Sequence, residues 1–258
     1  AHRLRQELHD RYASRRNYWI GLAIVVVLVL LNVLPLFVIS ASSFMASGTS
    51  LWSGFTLENW EIFVTASAPV IVNTFVFAAG AAVLTTALSG GLAWVIARTN
   101  APFRRLYYFT IFLVFFSPPV VTETVWIRLL GDGGLYPYLL GLHSLNVYSM
   151  GGMIVVQSIR LMPIGMILLI PLFGSIDKTL EDAGRLSGAN LVQTLRYITG
   201  PLLMPGLSVV FVFAFLINLE SFRVPLMIGL PADINVLAIE VYRNTNVPPV
   251  EYGVAMVQ

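Results

Sequence analysis

The sequence predicts an all-α membrane protein of about six transmembrane helices, five complete and a sixth truncated, with its N-terminus in the cytoplasm. Three observations carry that expectation. Of 258 residues, 57% are hydrophobic and 11% charged, where a soluble domain carries about 25% charged residues. The apolar residues gather into runs of roughly 20, the length of helix that crosses about 30 Å of hydrocarbon. The basic residues collect in alternate connecting segments, which fixes an orientation. Strands of a β-barrel would alternate over about ten residues and these runs do not, so helices are left to satisfy the backbone inside lipid.

Residues 1–17 form a basic cytoplasmic segment with Arg3, Arg5, Arg11, Arg15 and Arg16. The first span runs from Trp19 to Ile39, with Pro35 near its outer end. Residues 40–69 follow as an outer interfacial segment, anchored by Trp52, Phe55, Trp60 and Phe63, since aromatic rings settle at the headgroup level. The second span covers about Val70 to Ala97 and the third Leu106 to Leu130. Arg98, Arg104 and Arg105 lie between these two on the cytoplasmic side. The fourth span covers Met150 to Phe173, and the fifth runs from near Leu202 to roughly Ile228. Lys178, Arg185 and Arg196 place the loop 174–200 in the cytoplasm. The outer segments hold far fewer cations: none in 40–69, and Arg128 beside Asp132 in 128–149. Segment 229–250 reads as a turn, a short amphipathic piece and another turn, and a sixth span would open near Tyr252. The chain begins without Met and stops in an apolar run, so both ends are expected to be truncated.

Composition removes several classes of function. With no Cys there is no disulfide framework, thiolate zinc site or thiol chemistry. The net charge of +2 sits at membrane edges and does not point to nucleic acid. The basic start is long and no small-residue cleavage site follows the first apolar run, so no signal peptide is read. His143 stands alone in an outer loop, and His2 and His9 belong to a polar tail; no metal cluster is expected. No phosphate-cradling glycine loop with a following Lys-Ser/Thr occurs, nor any Ser-His-Asp arrangement, so the chain is read as no enzyme.

The most polar stretch between two spans is the loop 174–200. Thr179 to Ser187 is expected as a short helix, with Thr179 as N-cap and Asp182 three residues on in capping-box spacing. Asp177, Glu181 and Asp182 favour its N-terminal end, and Gly188 stops it by adopting a left-handed conformation. A second helix, Leu191 to Ile198, puts Leu191, Leu195 and Ile198 on one face before Pro201 opens the next span. By shape alone this is either a rigid lever for a soluble partner or an amphipathic loop resting on the headgroups.

The loop resembles the cytoplasmic "EAA" loop of ABC-importer permeases, which reads Glu-Ala-Ala, three residues, Gly, nine residues, Ile, two residues, Pro. Asp182, Ala183 and Gly184 stand at the first three places, Gly188 at the glycine, Ile198 at the isoleucine and Pro201 at the proline. Three positions depart: Asp for the acid, Gly184 for the second alanine, and Gly200 where leucine usually precedes proline. The resemblance covers most of residues 70–258, a permease core that opens with Asn73 and ends its first helix in Ala97-Arg98-Thr99. Segments 220–231 and 248–253 resemble the ferric-iron and polyamine-type branch. This implies a type I permease fold in a bacterial inner membrane. It also implies that Glu181, Asp182, Ala183, Gly184, Arg185, Gly188 and Ala189 couple to an ATPase dimer that holds the ATP and Mg, with no cofactor in this chain. Further implied partners are a second permease half (fused, identical or separate), a periplasmic or surface binding protein, and lipid. The implied cargo is a small charged nutrient such as ferric ion or a polyamine.

Ionisable and amide groups inside spans are costly and so are functional candidates. Glu123, Gln157, Arg160, Asn218 and Glu220 are these groups, with Glu123, Arg160 and Glu220 within about 10 Å in depth. They either line a polar pathway or form a buried ion pair of Arg160 with Glu123 or Glu220. Pro118 and Pro119 interrupt the third span, as a hinge or as a static kink. Gly80, Gly90, Gly91, Gly151, Gly152 and Gly165 are expected to allow close helix contact. A non-ABC membrane protein, either an ion-coupled secondary transporter segment or a structural subunit, is the alternative; Glu123 beside the proline pair is the feature that fits ion coupling.

Overall fold

Small residues at helical spacing on two long apolar segments decide how the membrane core packs. A computed structural model describes residues 2–45, 54–100, 102–131, 133–140 and 146–258, with the backbone alone over 2–16. Trp52, Asp132 and His143, and the side chains of His2 and His9, lie outside the described residues. The described residues are helical apart from turns and one isolated bridge, Met45 to Phe55. Four helices are long and apolar enough to cross a membrane, or six if each of two bent helix pairs counts as one span. The chain divides into two compact units, residues 68–240 and residues 1–67 with 241–258.

In the first of these units, α3 (Ala68–Arg98) lies along α7 (Met150–Ser175), and α10 (Gly200–Leu219) packs on both. Ala78, Ala81 and Ala82 on α3 are fully buried. A Cβ on Gly80 would stand 2.7 Å from the Ile154 side chain, and one on Gly165 would overlap Ser89, so these glycines set the spacing. Across the same contact Ser158 donates a hydrogen bond to the Ala81 carbonyl (3.1 Å) and Ser89 donates to that of Met162 (3.0 Å). Gly90 approaches Leu207 of α10, whereas Gly91 faces open space, a Cβ on Gly151 would meet only the Ser149 hydroxyl at 3.9 Å, and Gly152 crowds the Val147 carbonyl of its own loop. Towards the cytoplasm the core is Ala93, Leu169, Phe173, Leu203 and Val210. Towards the outside Phe77, Met153 and Val156 pack against Val224, Ile228, Val236 and Ile239. There Asn73 donates to the Asn235 carbonyl (3.1 Å) and the Leu237 amide donates to the Thr74 hydroxyl (2.9 Å), fixing the outer segment to α3.

Two expected spans are corrected. The third is broken: α4 (Arg104–Phe116) ends at Ser117, and Pro119–Leu139, which holds α5 (Pro119–Leu130) and all but the last residue of α6 (Leu135–Leu140), turns 107° away. Each proline disfavours helical backbone in the residue before it, so Ser117 (ψ 134°) and Pro118 (ψ 131°) are extended. Pro119 then starts α5 at the first helical position, where its missing N–H costs nothing. The fifth span starts earlier and ends earlier. One helix runs from Leu191 to Leu219 through Pro201, and the chain leaves it at Glu220. The expected 229–250 pattern appears as a turn at Leu230–Ala232 and α11 (Leu237–Asn246).

The second unit holds α1 (His2–Ser42), α2 (Glu58–Ala66) and α12 (Tyr252–Ala255). From residue 17 to 40 every side chain of α1 is exposed, the surface expected of a helix bathed in lipid. At its outer end the Asn59 amide donates to the Ser43 (3.1 Å) and Met45 (2.7 Å) carbonyls, and Phe44 stacks on Phe55 and Trp60. Gly253 of α12 packs directly on Asn59, with room for no side chain.

Candidate functional site: a cytoplasmic lever and an intramembrane polar network

The charged sequence Asp177 to Leu186 folds as α8 (Lys178–Leu186) because its first residue caps it. The N-cap is Asp177, two residues earlier than the Thr179 expected from capping-box spacing; its carboxylate accepts the Thr179 amide at 3.0 Å, so no Thr179–Asp182 box forms. Hydrogen bonds from the Thr179 amide and hydroxyl, with a lesser contribution from the Arg98 charge, hold the Asp177 carboxyl below the usual carboxylate range. Gly188 ends the helix at φ +89°, the left-handed geometry a glycine terminator needs. Asn190 then opens α9 (Leu191–Thr194) through a capping box with Gln193. That Asn-x-x-Gln signal stands in the sequence and was not used above. A π-helical turn, Leu195–Thr199, carries α9 into α10 without a break. The lever is therefore one rigid extension of the fifth span, with α8 folded back on it.

The motif spacing has a packing cause. A Cβ on Gly184 would meet the Ile198 side chain at 2.5 Å, so the glycine in place of alanine lets α8 seat on Ile198. A Cβ on Gly200 would lie 2.6 Å from the Leu195 carbonyl, which explains a glycine after the wide π turn. Of the residues singled out for coupling, Asp182, Ala183, Arg185 and Gly188 are exposed, and Gly184 and Ala189 are half-buried. Leu186, at the tip, is 91% exposed.

Glu181 points the other way. It is buried, pairs with Arg98 at the end of α3 (3.1 Å), and accepts the Thr199 hydroxyl (3.0 Å). Arg98 also donates to the Ile176 carbonyl at 2.8 Å. Glu181, named with the coupling residues, ties α8 to the membrane helices because two donors, from α3 and the π turn, converge on its carboxylate. Arg98 and Thr199 carry this contact and were not singled out by the sequence; the Ala-Arg-Thr ending of the second span was the available signal.

Inside the membrane the structure joins three of the five candidates by hydrogen bonds and leaves Glu123 buried without one. Gln157 of α7 donates to the Asn218 side chain of α10 (2.7 Å), and Arg160 donates to Gln157 (3.3 Å). Glu123 of α5 is fully buried and neither carboxylate oxygen has a hydrogen-bond partner; the Asn218 amide nitrogen also lacks one. The charges acting on Glu123 are Arg160 and Arg223, and neither reaches ion-pair distance. Glu220 stands apart, exposed, at the end of α10. Neither expected pairing of Arg160, with Glu123 or with Glu220, forms among the described residues. Arg223 was absent from the sequence candidates although it falls inside the fifth span as expected, Leu202 to roughly Ile228.

Comparison with known proteins agrees with this architecture. Residues 89–257 match the family described as "Binding-protein-dependent transport system inner membrane component". The chain is 26% identical over 220 residues to the inner membrane ABC transporter permease protein YdcU of Escherichia coli (strain K12), covering 71% of this chain and 69% of that protein. It is 28% identical over 180 residues to the putative ferric transport system permease protein FbpB 1 of Haemophilus influenzae, covering 67% of this chain but 28% of that much longer protein. A crystal structure of a bacterial alginate ABC transporter with an alginate pentasaccharide-bound periplasmic protein superposes with a TM-score of 0.74 at 16% identity, over 96% of this chain and 88% of that one. The chain belongs to the binding-protein-dependent transport system inner membrane component family.

Proposed function

We propose that this family member is the pathway-forming subunit of an ATP-driven importer, which takes a small charged nutrient from a binding protein outside the membrane. A dimer of ATP-hydrolysing subunits in the cytoplasm, holding the ATP and Mg, grips α8, and a second permease half completes the pathway. The observation that carries this reading is the division of labour on α8. Its outer face offers Asp182, Arg185 and the bare Leu186, while Glu181 on its inner face is bonded to α3 and to the start of the fifth span. Force applied to such a helix reaches two membrane spans directly.

The intramembrane network supports a pathway role for Glu123, Gln157, Arg160 and Asn218. A buried carboxylate and a buried amide N–H that each lack a partner cost desolvation without recompense, unless a passing solute answers them. The resemblance of segments 220–231 and 248–253 to the ferric-iron and polyamine-type branch suggests ferric ion, a polyamine or a similar cargo, while the relatives' names span ferric, diacetylchitobiose and molybdenum transport. One carboxylate under the influence of two guanidinium groups favours, on this half of the pathway, an anionic or chelated solute over a bare cation.

The test is purification of the intact protein in mild detergent, identification of co-purifying chains, and an ATP hydrolysis assay. An ATP-hydrolysing chain should co-purify with the native protein and be lost from Arg185→Glu, which reverses a charge on the exposed face without touching the Glu181 contacts. Retention of that chain by Arg185→Glu and Leu186→Asp alike would contradict docking at α8.

A further inference from the structure

At the cytoplasmic edge of the 68–240 unit, a cavity of about 590 Å³ opens where the end of α3, the start of α4, the end of α7 and the first residue of α8 meet. One part of its wall is apolar, with Ile170 and Phe173 of α7; the other holds Arg98, Arg104, Asp177 and Lys178. Two of these four charges are already occupied. Arg98 is bonded to Glu181 and to the Ile176 carbonyl, and Asp177 caps α8. Arg104 and Lys178 are exposed and make no ion pair among the described residues; with Arg98 paired to Glu181 and Asp177 still anionic, two cations against one anion leave the charge facing the cavity net positive. The positive-inside pattern places this mouth at the headgroup level of the cytoplasmic leaflet, and the apolar wall continues up the membrane span.

We propose that this cavity seats the phosphate of an anionic phospholipid between Arg104 and Lys178, with its glycerol end against Ile170 and Phe173. A soluble anion would use the two cations but leave the apolar wall unanswered. A zwitterionic lipid brings its own cation and gains less from the pair. Phosphatidylglycerol answers both walls, in the manner of other basic pockets at cytoplasmic helix ends. Because Lys178 is the first residue of α8, lipid bound there touches the base of the lever, and membrane charge becomes an input to coupling.

The experiment is native mass spectrometry of the intact protein titrated with phosphatidylglycerol or phosphatidylcholine. Two basic side chains at a membrane surface account for about a thirtyfold preference for anionic lipid, and that preference is expected for the native protein. Arg104→Gln with Lys178→Gln should remove it. Arg185→Gln with Arg196→Gln, which removes the same charge from the same membrane side outside the cavity, should keep it. Gly174 lines the cavity and a Cβ there meets nothing within 4 Å, so Gly174→Trp should lower phosphatidylglycerol retention with every charge intact. Far-UV circular dichroism identifies any variant that fails to fold, and the remaining variants then decide. Three results would each overturn the site: an unchanged preference in the Arg104/Lys178 variant, equal loss in the Arg185/Arg196 variant, or displacement of the lipid by inorganic phosphate at comparable affinity.

Discussion

At the residue scale, the proposed coupling rests on the Arg98–Glu181 pair. Its two side chains are 4% and 9% exposed, and removing one partner of a buried pair leaves an uncompensated charge. Glu181→Gln is expected to cost about 3 kcal/mol of stability, read by thermal unfolding in detergent. Exchange of the two residues, Arg98→Glu with Glu181→Arg, should recover part of it. Asp177 gives a pH prediction with a defined sign. Its folded carboxyl lies below the unfolded value of about 3.9, so its contribution to α8 is full above that value and is lost as pH falls through the depressed one. Asp177→Asn caps equally well and should abolish the acid-side loss of α8 protection in hydrogen exchange, leaving pH 5 to 8 unaffected. Gly188 at φ +89° makes Gly188→Ala cost about 1 kcal/mol. It follows that a bulky residue at Gly188 tests backbone strain as much as docking, and Arg185→Glu is the cleaner variant. The terminating glycine was legible because its chemistry is local. The inward turn of Glu181 was not, because neighbouring acids in one helix differ only in which face meets Arg98 and Thr199, a tertiary matter.

At the element scale, the continuous helix behind α8 and the broken third span are the two features that depart most from plain membrane spans. The π turn at Leu195–Thr199 lets α9 run into α10, so α8 and the fifth span move as a joined piece rather than as a loop between spans. Span existence and order were readable from hydropathy, and α3 and α7 fall within two residues of their expected ends. The 107° turn after Phe116 was not, since two prolines specify that a helix stops but not where the next one points. With Pro118→Ala and Pro119→Ala together, the extended Ser117–Pro118 link loses its cause, and α4 and α5 are expected to join as one helix. Spin-label distances between residues 109 and 127 should lengthen towards the 1.5 Å per residue of continuous helix; unchanged distances would assign the break to packing instead.

At the scale of the whole molecule, the chain is a membrane pathway with an external handle. Four to six apolar spans, an intramembrane polar network and a polar helix pair on the cytoplasmic side fit the proposal that its energy comes from a partner subunit. The absence of Cys gives the most direct test of that claim, because a single introduced thiol has no background. Leu186→Cys should be made in the intact protein, in membranes containing its co-expressed partner chains, and treated with a thiol-reactive photocrosslinker. The account predicts a crosslink to an ATP-hydrolysing subunit whose yield changes when ATP is added, with none from Val72→Cys near the outer end of α3. A thiol at Leu186→Cys that labels freely with a water-soluble maleimide and never crosslinks to such a subunit would contradict it.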